Sequence, residues 1–270
     1  MKRTIRTSVC LFLAAILLAA MGVSGLAEQG TVSEGTEEML STANMPASFQ
    51  VRSMATDELD DFRYWLYTPE NPTENPTENM PLIVYLHGAS GRGEDLNLVV
   101  ADADFPKYLR SGELGNVPAY VLIPQLPSEM RGWSEISDSL YSLIEKTIDE
   151  FSLDEENISL AGFSLGGTAT WELAAESPDL FVRIAPLSGS ARGVLEQVSV
   201  LKEIPVRTFV GSADTVIAPN SAEQMIMELK KAGADAEMVV FDGADHVSVP
   251  SLVYCDESIH LVEWLIGAAE

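Results

Sequence analysis

Cysteine is nearly absent from this chain: only Cys10 and Cys255 occur in 270 residues. At most one internal disulfide could form, so the fold must rest on core packing rather than on cross-links. Histidine is equally scarce, with His87, His246 and His260 alone. There is no H-x-x-x-H pair and no cysteine ligand cluster, so neither a metal nor another cofactor is expected. The phosphate-cradling patterns G-x-x-x-x-G-K-[ST] and G-x-G-x-x-G after the first strand are missing too, which argues against nucleotide binding. Basic residues number 16 against 41 acidic ones, a net charge of −25. A surface of that sign repels nucleic acid and anionic membranes, and a large polyanion is an unsuitable substrate. Long apolar runs are lacking as well. The strongest, residues 9–21, falls short of the roughly 20 residues that a membrane span needs.

That short run has a different reading. Lys2, Arg3 and Arg6 precede it, and Gly25 and Ala27 follow at the −3 and −1 positions of a small-residue cleavage site. Residues 1–27 are therefore expected to be a secretory signal peptide, giving an exported protein with no stable membrane insertion after cleavage, with a single retained membrane anchor as the alternative. Cys10 would leave with the signal. Loss of its three bases would put the remainder at −28. Residues 28–46, rich in Glu, Ser, Thr and Gly, read as a flexible acidic lead. Residues 47–270 are long enough for one large core and one domain. Within them, residues 71–78 repeat N-P-T-E twice and predict an exposed loop.

The rest alternates short apolar runs with helical patterns. Strands are predicted at Phe49–Ser53, Phe62–Tyr67, Leu82–Leu86, Ala119–Ile123, Ile158–Ala161, Arg183–Leu187, Val206–Val210 and Met238–Phe241. Helices are predicted at Ile136–Phe151, Leu165–Glu176, Ser221–Lys231 and Ser258–Ala268. Alternation of this kind means an α/β fold, a mostly parallel sheet with helices on both faces. In such sheets ligands bind beyond the carboxyl ends of the strands. Residues just after each strand are thus the ones to inspect.

Ser164 sits in G-F-S-L-G, between the strand I-S-L-A and a helix. G-x-S-x-G alone turns up by chance in roughly one chain of ten at this length. The strand before and the helix after make it a nucleophile elbow, a sharp strained turn with glycines where side chains would collide. Asp214 follows the Val206–Val210 strand by a short G-S-A turn, where a buried carboxylate can orient a histidine. A turn aspartate bonded to its own backbone is the plainer alternative. His246 lies after the last strand in F-D-G-A-D-H-V and can accept and return a proton near neutral pH. His87 ends a strand as a structural loop residue, and His260 reads as a helix-face residue. Cys255 reads as a buried small apolar residue. The order Ser, Asp, His matches that of the α/β-hydrolases. Two backbone N–H groups would complete the site as an oxyanion hole. One belongs to Leu165, the other to the loop H-G-A-S-G-R-G, most simply Ala89, with Ser90 as the alternative.

The runs P-L-I-V-Y-L-H-G-A-S-G-R-G-E-D, V-L-I-P-Q-L-P with Trp133 following, I-S-L-A-G-F-S-L-G-G, G-S-A-D and A-D-H together resemble the α/β-hydrolase superfamily. They look most like secreted esterases of the feruloyl-esterase, polyhydroxybutyrate-depolymerase and dienelactone-hydrolase-like group. The resemblance covers roughly Phe62 to Gly267. It implies Ser164, Asp214 and His246 as nucleophile, acid and base, Leu165 and Ala89 as oxyanion donors, and Trp133 near the substrate. Dienelactone hydrolases proper use a cysteine nucleophile. The serine here points to ordinary esters, small or polymer-attached. The stretch between Leu187 and Val206 leaves little room for a large lid. Two alternatives remain: a serine peptidase or amidase using the same triad, and a non-catalytic secreted binding protein on a hydrolase scaffold.

Overall fold

The computed structural model describes residues 49–69, 80–102 and 104–268. The expected signal, the acidic lead and the N-P-T-E repeat lie outside the described residues. Eight strands form one sheet: β1 (Phe49–Met54), β2 (Phe62–Tyr67), β3 (Leu82–Leu86), β4 (Tyr120–Pro124), β5 (Ile158–Phe163), β6 (Arg183–Leu187), β7 (Val206–Gly211) and β8 (Ala236–Phe241). Their order is β1-β2-β4-β3-β5-β6-β7-β8. The pairs β1–β2 and β2–β4 are antiparallel, and every later pair is parallel.

Strand β3 shows why the run L-I-V-Y-L has no polar residue. All five side chains are buried. Leu82, Val84 and Leu86 join the core on one face, and Ile83 and Tyr85 join the core on the other. Side chains alternate across a strand, so one covered by helices on both faces must be apolar throughout. Each such aliphatic side chain contributes about 1.5–3 kcal/mol over an exposed one. Helices α2 (Ser137–Phe151), α3 (Leu165–Glu176) and α5 (Asn220–Lys231) line the first face through Leu140, Leu143, Trp171, Leu173, Met225 and Leu229. Helices α1 (Phe105–Ser111), α6 (Val249–Tyr254) and α7 (Leu261–Leu265) line the second through Phe105, Val253 and Trp264.

Three expectations need correction. The helix expected over Ser258–Ala268 is only Leu261–Leu265, because His260 takes a left-handed conformation at φ 49°. Before it, Asp256 Oδ1 accepts from both the backbone N–H and the hydroxyl of Ser258, a turn that competes with helix. His260 is exposed and sits outside the helix. Cys255, expected buried, is exposed at the end of α6. The Leu187–Val206 connection holds only a short 3-10 turn, Arg192–Gln197, and the one-turn helix α4 (Val198–Leu201). Among the described residues no helix is long and apolar enough to cross a membrane, and no group of three or more His, Cys, Asp or Glu is placed to hold a metal.

Candidate active site

Register brings the strand ends to one edge. Leu86 pairs with Gly162, Phe163 with Leu187, and Gly211 with Phe241. The loops that follow β3, β5, β7 and β8 therefore emerge side by side. Strand β3 lies between β4 and β5, so chain direction across the sheet reverses there, and such a switch leaves a crevice at the carboxyl edge.

Ser164 occupies that crevice at φ 57° and ψ −111°, a conformation that costs an L-residue of order 1–3 kcal/mol. Its surroundings enforce it. A Cβ on Gly162 would lie 2.6 Å from the Gly166 backbone, and one on Gly166 would lie 1.9 Å from Leu86 O. Helix, elbow and β3 touch backbone to backbone, and only glycine permits it. Gly166→Ala must push α3 away from β3. A loss of about 3 kcal/mol or more, seen as a Tm lowered by about 6–12 °C or as insoluble protein, is expected. An unchanged melting curve would contradict this packing. A chain of bonds also pins the elbow: Ser190 N–H donates to Thr168 Oγ1, and the Thr168 hydroxyl donates to Ser164 O.

The three sequence-selected residues meet. Ser164 Oγ lies 2.7 Å from His246 Nε2, and His246 Nδ1 lies 2.7 Å from Asp214 Oδ2. The second carboxylate oxygen, Asp214 Oδ1, accepts the N–H groups of Val216 and Ile217, each at 2.9 Å. With the carboxylate able only to accept, Nδ1 of His246 carries its hydrogen and Nε2 is free to accept from Ser164. Asp214 and His246 are buried, and the Phe163 ring lies against the imidazole at 5.0 Å.

On the β3 side, Gly88 abuts Ser164. A Cβ there would contact Ser164 Cβ at 3.4 Å. The next residue, Ala89, begins a short 3-10 turn, and Leu165 begins α3. Among the described residues neither N–H donates to a protein acceptor. The amino end of α3 adds its positive dipole end beside Ser164.

Behind this loop the structure shows what the sequence left unassigned. His87 Nδ1–H donates to Gly88 O, while Leu126 N–H donates to His87 Nε2. Burial lowers its pKa to about 4, opposed by the Gly88 bond and reinforced by the Arg92 charge. His87 is thus a neutral strut and no acid or base. Trp133, expected near the substrate, is only 1% exposed. It donates Nε1–H to His87 O and packs edge-on against the imidazole. Its bulk braces the loop from behind instead of lining the cleft. Gln125 Nε2 donates to Gly91 O and Asp95 O. Both Gln125 and Ser188 stand at strand ends, the position that singled out Ser164. Ser188 is buried at φ 44° with its hydroxyl unpartnered among the described residues.

One pH effect follows from this shell. His87 has a folded pKa below its unfolded value, so its contribution is complete above about pH 6.5 and is lost as pH falls towards 4. Asp104 behaves oppositely. Its carboxyl accepts from Tyr85 OH and Phe105 N–H, and burial raises its pKa to about 7. Its contribution is present at low pH and is lost as pH rises through 7. The two offset each other between about pH 4 and 6.5. Asp104→Asn removes one side, so stability should fall more steeply on acidification across that window. Denaturant melts at several pH values check this, and an unchanged slope would contradict it.

Comparison with known proteins agrees with this architecture. Residues 126–249 match the Dienelactone hydrolase family. Feruloyl esterase B of Thermothelomyces thermophilus is 27% identical over 168 residues, 57% of this chain and 53% of that protein. The crystal structure of a thermostable esterase superposes with a TM-score of 0.68 at 26% identity, covering 82% of this chain and 63% of that one. The CE1 ferulic acid esterase of Anaeromyces mucronatus gives a TM-score of 0.61 at 16% identity, covering 85% and 94%. The chain spans about half or less of the length of the curated relatives it matches.

Proposed function

We propose that this chain is an esterase of the α/β-hydrolase kind, a reading its likeness to that group supports, and that it hydrolyses carboxylic esters through a Ser164–His246–Asp214 triad. The observation that carries this reading is the continuous relay from Ser164 Oγ to His246 to Asp214.

In this reading His246 Nε2 takes the Ser164 proton as Oγ attacks the ester carbonyl. The carbonyl oxygen becomes an oxyanion held by the N–H groups of Leu165 and Ala89. Donors of this kind are worth about 10²–10³ in rate each. Asp214 stabilises the imidazolium, which then protonates the departing alcohol. Water repeats the sequence and frees the acid and Ser164. The short connection after β6 supports an open site for small or polymer-attached acyl groups.

A series of p-nitrophenyl esters from acetate to palmitate, with the matching anilides, tests the reading. Short esters should turn over fastest, and anilides at least about 100-fold more slowly. Preferred cleavage of anilides would make the protein an amidase. Strong activation at a lipid–water interface with preference for long chains would overturn the open site.

A further inference from the structure

Single apolar side chains on a surface are ordinary. Among the described residues, however, two exposed large hydrophobics stand apart. Val216 is 70% exposed and Val247 is 68% exposed, against 49% for the next, Met227. Both sit in the loops that carry Asp214 and His246. Val216 lies two residues beyond Asp214 and donates its N–H to that carboxylate. Val247 follows His246 directly. We propose that Val216 and Val247 form the contact surface for the alcohol half of the substrate, so that the enzyme selects esters of bulky apolar alcohols.

The direction follows from the chemistry, and it rests on the esterase reading above. The carbonyl oxygen must point at the N–H groups of Leu165 and Ala89. The alcohol oxygen must take its proton from His246 Nε2, so the leaving group departs on the His246 side. The loops bearing Asp214 and His246 are therefore the protein surface beneath the alcohol's body. The acyl group extends away from them. An apolar rim on this side should discriminate among alcohols and leave acyl preference alone.

The test compares two substrate pairs by steady-state kinetics on the full chain. Cyclohexylmethyl butyrate against methyl butyrate varies the alcohol, and methyl cyclohexylacetate against methyl butyrate varies the acid. The variants are Val216→Ser, Val247→Ser, their double, and Met227→Ser on α5 as a control outside the two loops. The native chain should prefer the cyclohexylmethyl ester. In the double variant the alcohol-pair ratio of kcat/KM should fall about tenfold, chiefly through KM, the size expected for a lost apolar contact. The acyl-pair ratio should move less than twofold, and Met227→Ser should move neither. Equal change in both ratios, or change in the acyl ratio alone, overturns the proposal and leaves the esterase reading standing. No turnover of any ester by the native chain overturns both.

Discussion

Ser164→Ala should lower kcat/KM on a short-chain p-nitrophenyl ester by about four to six orders of magnitude, or to background, while the melting temperature stays within a few degrees of native. The size follows from what is removed. In the proposed reaction Oγ supplies the electron pair for attack and the proton that His246 accepts. Without it the N–H groups of Leu165 and Ala89 can only polarise a carbonyl for attack by water, a contribution of about 10³–10⁴ over the uncatalysed reaction. The fold should not suffer. The elbow is held by the Gly162, Gly166 and Leu86 backbones and by Thr168, none of which needs the hydroxyl. An alanine accepts the same positive φ no worse than serine. A variant that unfolds would trace the loss to packing, and one that remains active would remove Ser164 from the chemistry.

Asp214→Asn should cost about four orders of magnitude in kcat near neutral pH with little change in KM. An asparagine keeps the shape, and its carbonyl oxygen can still accept from Val216 and Ile217. Its amide then faces His246 Nδ1 as a donor. The imidazole must answer with Nδ1 unprotonated and the hydrogen on Nε2, pointing at Ser164. In that tautomer it cannot take the serine proton. Steady-state kinetics with a denaturation control separates the two outcomes. A loss below tenfold would mean that Asp214 only shapes its turn.

Much of this was legible in the chain because the relevant signals are local. Strand β3 was readable to the residue, since a run buried on both faces has no polar member. The elbow was readable because its steric demand falls on fixed positions, Gly162 and Gly166. What escaped were features set by residues distant in sequence. The family resemblance puts Trp133 near the substrate, and nothing local in the sequence corrects it. Its actual partner, the His87 carbonyl, lies 46 residues earlier. Gln125 stands just after β4 and could have been singled out by position, but its task of holding Gly91 and Asp95 depends on β3 and β4 being neighbours. The shortened last helix turned on one backbone angle at His260, which apolar periodicity does not report. The exposure of Cys255 is not legible either, because burial at a helix end depends on what packs against it.

The central claim is that Ser164 is a nucleophile activated by His246. The most direct test is covalent. The protein is incubated with a fluorophosphonate, digested, and its peptides mapped by mass spectrometry, beside Ser164→Ala and His246→Ala. Stoichiometric phosphonylation confined to Ser164, absent in the first variant and slowed by at least about 10³-fold in the second, is the predicted result. No labelling, or labelling at another residue that persists in Ser164→Ala, would contradict it.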